Sequence, residues 1–186
     1  MKYYPTKAPR IPKIVASIIL SVLLSACAHS PYDASDRYYY NSGTSYIQEI
    51  IQRLFPGGRH APITSGYGNR IHPVTGLTQW HNGIDVGVPH KTMIASPKNG
   101  VIQHIYKHED GGLTLKLKDL ESGVVWGMCH LHKVLVDEGD FVRIGQPIAL
   151  SGGDINDPNR GNSIGAHLHL TLRWNGHLVN PETFAL

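Results

Sequence analysis

The sequence predicts an all-β domain, mostly antiparallel, preceded by one short helix. Three observations carry this. From Ala61 onward the chain consists of short β-type runs between Gly, Pro, Asn and Asp clusters. No helical periodicity lies between those runs, and parallel strands would need helical crossovers. Ahead of them, Ile47, Ile50, Ile51, Leu54 and Phe55 repeat at i, i+3, i+4, i+7 and i+8 before Pro56-Gly57-Gly58 ends the run.

The helix is expected over residues 45–58, opened by a capping box of Ser45 and Gln48, with its apolar stripe buried on the domain rather than kept for a partner. Strands are expected at Thr92–Ser96, Val101–His108, Leu113–Lys118, Val124–Leu131, Pro147–Ser151 and Ala166–Trp174. Turns such as Pro97-Lys98-Asn99-Gly100 and Asp110-Gly111-Gly112 join them. The folded domain occupies residues 59–186, and no internal repeat or low-complexity block interrupts it.

The first 44 residues read differently. Four basic residues and no acid precede or flank Ile14–Leu24, an apolar run of eleven residues. A bilayer-spanning helix needs about 20, so residues 1–26 are expected to be a signal peptide. Leu24-Ser25-Ala26-Cys27 resembles the lipobox of bacterial lipoproteins, which implies acylation of Cys27 and a membrane anchor that does not span. Residues 28–44 are polar and tyrosine-rich and read as a tether. Ala28 follows Cys27, where Asp would be the usual inner-membrane signal. By that resemblance the expected address is the outer membrane, facing the periplasm.

Charge excludes one class of partner. The whole chain carries a formal +3, but residues 27–186 hold 13 basic against 14 acidic residues, so nucleic acid loses its main compositional support. Nothing in the sequence names a protein partner. Cys129 is the only cysteine besides Cys27 and is expected to be a small buried apolar residue.

Twelve histidines in 186 residues direct attention to imidazole chemistry. On a strand, His167, His169 and Thr171 share one face while Leu168, Leu170 and Leu172 enter the core. His81 and Asp85 are four apart across Gly83, and two His with one carboxylate is a ligand set found at catalytic zinc. Alone, the His-x-His pair is equally compatible with a chance surface pair, and His81 to Asp85 with a solvated turn. In a strand through Val124–Leu131, Trp126, Met128 and His130 would share the face toward the site.

Taken in order, Ser65-Gly66-Tyr67-Gly68-x-Arg70-x-His72-Pro73, His81-x-Gly83-x-Asp85, His130-Leu131, Gly139-Asp140-x-Val142-x-x-Gly145-Gln146, His167-x-His169 and Asn180-Pro181 resemble the lysostaphin-type (LytM-type) zinc metallopeptidases. The resemblance covers Ala61 to Pro181. It implies an antiparallel sheet flooring an open groove and one Zn2+ on His81, Asp85 and His169. It also implies His130 and His167 as catalytic histidines, with acid and base undivided between them, and peptidoglycan cross-links as substrate, hydrolysed by zinc-activated water. Tyr67, Arg70, His72 and Met128 are expected groove or substrate contacts. A D-alanyl-diaminopimelate bond is the expected target over pentaglycine, given the outer-membrane address.

Three positions depart from the family pattern: Met128 in place of a Tyr, Leu170-Thr171 in place of Phe-Glu, and the extra polar stretch Asp154–Arg160. That stretch is expected to be a solvated turn, the other possibility being a groove-rim loop that selects substrate. His29, His60, His90, His104, His108, His132 and His177 receive no role. The rival functions are a non-catalytic peptidoglycan-binding or hydrolase-activating lipoprotein of the same fold, and a zinc scavenger. The first would typically lack ligands, and all five positions are present.

Overall fold

A computed structural model describes residues 45–57, 61–71 and 76–185. The expected signal peptide, Cys27, the tether and His72 lie outside the described residues. Among the described residues, no helix is long and apolar enough to cross a membrane.

Helix α1 spans Tyr46–Leu54 and ends at Phe55, ahead of Pro56. Its start matches the expectation, but the capping box does not form: Ser45 makes no side-chain cap, and its carbonyl accepts the Gln48 amide instead. Ile47, Ile50, Ile51 and Leu54 are buried in the domain's own core, so the amphipathic stripe is not a free surface. Each such aliphatic side chain contributes about 1.5–3 kcal/mol by leaving water.

Twelve strands follow in chain order: β1 (Ile63–Ser65), β2 (Gly68–Ile71), β3 (Thr78–His81), β4 (Ile84–Val86), β5 (Met93–Ala95), β6 (Gly100–His108), β7 (Gly112–Asp119), β8 (Val125–Val134), β9 (Phe141–Val142), β10 (Pro147–Ser151), β11 (Leu168–Trp174) and β12 (His177–Val179). Ten of them form one sheet ordered β1-β4-β11-β8-β7-β6-β9, with β12 added on β11 and β10 bridging β8 and β5. The hairpin β2–β3 stands apart as a two-stranded sheet. The pairings are antiparallel throughout. The six expected strands are all present, within two residues at each end except β8, which continues to Val134.

Period-2 alternation sorts the central strands into two faces. Trp126 and Met128 of β8, Leu168, Leu170 and Leu172 of β11, and Ile84 and Val86 of β4 are fully buried and meet α1 in a single core. The residues between them point to the opposite face: Asp85, Gly127, Cys129, His169 and Thr171. Register then aligns the site. His169 is paired across the ladder with Asp85 on one side and with Cys129 on the other.

Two expectations fail here, for one reason. Met128 was expected at the groove beside His130, but it is fully buried in the core. Between the Leu113–Leu131 and Leu115–Met128 pairs, β8 advances three residues against two on β7, so β8 carries a bulge. His130 sits in that bulge with φ +57°, which returns its side chain to the face of Cys129 while Leu131 goes to the core. His130 therefore reaches the groove by the bulge and not by sharing a face with Trp126 and Met128.

Candidate metal centre

The groove has a volume of about 760 Å3. Its floor is the polar face of β4, β11 and β8, and Gln79 and Trp80 of the β2–β3 hairpin form part of its wall. Near its centre three ligand-type atoms converge. Asp85 Oδ1 lies 2.8 Å from His169 Nδ1 and 3.2 Å from His81 Nε2, and the two nitrogens are 3.0 Å apart. His81 comes from the end of β3, Asp85 from β4 and His169 from β11, so three elements must be in place before the cluster exists.

The outer nitrogens settle the tautomers. His81 Nδ1–H donates to the Gly66 carbonyl at 2.6 Å, and His169 Nε2–H donates to Asn82 Oδ1 at 2.9 Å. Both inner nitrogens are then bare lone pairs, and they face each other and a carboxylate oxygen. Three acceptors in contact with no donor between them repel unless a cation lies among them. Tetrahedral zinc, with bonds of about 2.0–2.2 Å, would spread such atoms to about 3.3 Å, close to the observed separations. The donor set therefore fits zinc: two imidazoles and one carboxylate, the three-residue set of catalytic zinc sites.

Electrostatics agree with this arrangement. Burial opposes ionisation of Asp85, but the imidazoles of His169, His81 and His167 gathered round it outweigh burial and hold the carboxyl well below the usual carboxylate range. Burial also pushes the His169 imidazole down, against the pull of Asp85, so it stays neutral. Arg70 places Nη1 3.6 Å from Asp85 Oδ2 and donates to Ser65 Oγ at 2.7 Å. Its guanidinium engages the second carboxylate oxygen and leaves Oδ1 to the cluster.

Gly83 is required by this packing. A Cβ there would lie 2.4 Å from the Leu170 carbonyl and 2.9 Å from His169 Nε2, so any side chain would push β4 off β11 and separate Asp85 from His169.

Two more imidazoles flank the cluster without joining it. His130 and His167 are 4.9 Å apart between ring centroids, and His130 is 5.8 Å from His169. His130 Nδ1–H donates to the Arg160 carbonyl at 2.7 Å, and His167 Nδ1–H donates to the Gly165 carbonyl at 2.8 Å. Each thus keeps Nε2 as the free nitrogen, and His167 Nε2 stands 3.6 Å from Asp85 Oδ1. Burial lowers His130 to about 4, which leaves it neutral at pH 7.

The remaining expected contacts divide. Arg70 lines the groove, whereas Tyr67 packs edge-on against Trp80 at 5.2 Å and braces the hairpin. Cys129 was expected to be a small buried residue but lies half-buried at the groove floor, because the β8 bulge sends Leu131 and not Cys129 to the core, and burial pushes its thiol up. Asp154–Arg160 turns at the surface as expected, with Ile155, Asn156 and Pro158 exposed, but it is also fastened inward. Asp157 has a fully buried side chain, and the Arg160 carbonyl orients His130. Sequence reasoning also missed Asn82 and Gly66, the partners of the two ligand-type histidines. Asn82 lies inside the His81–Asp85 motif, but a backbone carbonyl such as that of Gly66 leaves no mark in a sequence.

Comparison with known proteins bears on the same residues. A 35% identical relative, an uncharacterized metalloprotease of Haemophilus influenzae, aligns over 82% of this chain and 31% of its own length. The peptidoglycan DD-endopeptidase ShyB of Vibrio cholerae is 32% identical over 77% of this chain and 32% of its own length. The chain thus spans about a third of the length of these curated relatives. Among solved structures, a zinc containing peptidase from Vibrio cholerae superposes with a TM-score of 0.61 at 32% identity, covering 72% of this chain and 40% of that one. The model of peptidase family M23 matches residues 79–181, a stretch that holds His81, Asp85, His130, His167 and His169. With the sheet, the groove and the order of motifs in agreement, the chain belongs to peptidase family M23, that of the lysostaphin-type metallopeptidases.

Proposed function

We propose that the chain is a zinc-dependent peptidoglycan endopeptidase that hydrolyses peptide cross-links, the D-alanyl-diaminopimelate bond being its target. The observation that carries this is the meeting of His81 Nε2, Asp85 Oδ1 and His169 Nδ1 as mutually facing acceptors in an open groove. Relatives named DD-endopeptidase support the substrate class.

In this reading those three residues hold the ion. Bound there, zinc supplies a Lewis acid and a water acidic enough to serve as nucleophile near neutral pH. The chain's own residues do the rest. His130, anchored through Nδ1, keeps Nε2 unprotonated and available to take part in proton transfer. His167 presents its Nε2 on the other side of the same space, where, once that nitrogen carries a proton, it donates to an oxyanion or to a leaving amine. Arg70 and Trp80 on the hairpin form a polar and an aromatic contact for the peptide stem.

The test uses the zinc-loaded chain on two substrates: cross-linked muropeptide dimers from a diderm wall, and pentaglycine, each with and without a chelator. Chelator-sensitive conversion of dimers to monomers is expected. Cleavage of pentaglycine alone would overturn the bond assignment, and cleavage of neither would make the chain a binding module.

Anchoring belongs to the same reading. Cys27 as the lipidated first residue, with Ala28 behind it, would hold the groove at the outer membrane facing the wall on a tether of 17 residues, roughly 20–25 Å long as a coil. Mass spectrometry of the protein from bacterial membranes is expected to find acyl chains on Cys27. A soluble protein with unmodified Cys27 would contradict it.

A further inference from the structure

A second cluster of ligand-type side chains lies outside the groove. His90 precedes β5, His132 is on β8 and Asp157 is in the extra loop, and one ligand atom from each falls within 4.8 Å of the others. The Asp157 side chain is fully buried. His132 Nδ1 is 3.0 Å from Asp157 Oδ2, and His90 Nδ1 is 3.6 Å from the same oxygen. The two rings meet edge to face at 4.8 Å between centroids. His90 Nδ1 is buried and makes no hydrogen bond. The other carboxylate oxygen, Asp157 Oδ1, is taken by the Asn159 amide at 2.9 Å, which fixes Oδ2 toward the two imidazoles.

A His–Asp hydrogen bond would account for His132, but it leaves His90 aimed at a carboxylate with its nitrogen unsatisfied. A buried nitrogen left without a partner destabilises the fold, and a cation among the three atoms removes that cost. The separations of 3.0 and 3.6 Å bracket the roughly 3.3 Å expected between ligands of a tetrahedral zinc. Two imidazole nitrogens and one carboxylate select a borderline first-row ion over calcium or magnesium. Both histidine side chains keep more than a quarter of their surface exposed, so water can complete the shell.

We propose that His90, His132 and Asp157 form a second binding site for a zinc-class divalent cation, separate from the groove, and that this ion clamps the extra loop to the sheet. The loop is already fastened nearby. Asn159 Nδ2 donates to the His132 carbonyl at 2.9 Å, and the Asn159 carbonyl accepts the Leu113 amide at 2.9 Å. Three residues past Asp157, the Arg160 carbonyl accepts His130 Nδ1–H. The clamp therefore acts on His130 through one main-chain segment. Only this last consequence rests on the catalytic role proposed for His130; the ion site does not.

Zinc itself is the probe, with the groove site disabled so that a single site is counted. The whole chain carrying Asp85→Ala, stripped and re-equilibrated with zinc, is expected to retain one ion per chain by elemental analysis. The added change His132→Ala should remove it. Because Asp157 and His132 support the fold, His90→Gln at a partly exposed position serves as the second variant and should weaken zinc binding by at least about tenfold. Hydrogen exchange reads the clamp: zinc added to the Asp85→Ala chain should slow amides of residues 154–163, and should not do so with His90→Gln present. An Asp85→Ala chain that binds no zinc overturns the site, as does one whose ion survives both His132→Ala and His90→Gln. Unchanged exchange in the loop on zinc binding overturns the clamp.

Discussion

Replacing His169 with alanine is expected to remove the groove ion and take cross-link hydrolysis to background. The reason is geometric. His169 is in contact with both other ligand-type atoms, its Nδ1 being 2.8 Å from Asp85 Oδ1 and 3.0 Å from His81 Nε2. Its loss leaves one imidazole and one carboxylate, too few to hold zinc against water. His81→Ala and Asp85→Ala should do the same, and in each the ion assigned to His90, His132 and Asp157 should persist. Asn82→Ala offers a graded comparison, because it removes only the acceptor that orients His169. It should weaken the groove ion by about 10- to 100-fold without abolishing it. Elemental analysis together with a zinc-competition titration checks all four. A His169→Ala chain with its groove ion in place would mean that the cluster is a hydrogen-bonded network and not a metal centre.

The second large effect separates chemistry from metal binding. His130→Ala and His167→Ala should each keep the groove ion, since neither nitrogen belongs to the converging set, and should lose about 10²- to 10⁴-fold in kcat. Uncatalysed proton handling and an unassisted oxyanion account for that range. Metal content and kcat, measured on the same preparations, separate this role from that of the ligands. If His130→Ala turns over within twofold of the wild type, the bulge that carries His130 into the groove has no catalytic purpose and the proposed role fails.

What sequence reasoning could see, and could not, follows from the kind of signal each residue leaves. Alternation on β11 reads directly from His167-Leu168-His169-Leu170-Thr171-Leu172, because each leucine is buried and each intervening side chain faces the groove. The stripe of α1 is equally legible. β1, β2, β3, β4, β9 and β12 were not expected, since each is two to four residues long and β3 is exposed at three of its four positions. No period can be read from so few residues. Alternation misled at Met128 and His130 because a bulge consumes one extra residue, and a non-glycine residue at positive φ announces nothing in the sequence. Asp154–Arg160 was legible only in part. Its polar composition marks a surface turn, while its buried Asp157 is partnered by histidines from two remote segments. The five histidine and aspartate positions at the groove were legible as motifs, but the ladder register that sets Asp85 against His169, and the carbonyls that fix each tautomer, are properties of the assembled sheet.

The most direct test of the account is diffraction from crystals of the zinc-loaded chain, collected on both sides of the zinc absorption edge. The prediction is an anomalous peak in the groove, about 2.0–2.2 Å from His81 Nε2, Asp85 Oδ1 and His169 Nδ1, with His130 and His167 beyond bonding distance. A groove without a peak in crystals grown with excess zinc, or a peak bonded to His130 or His167 in place of His169, would contradict it.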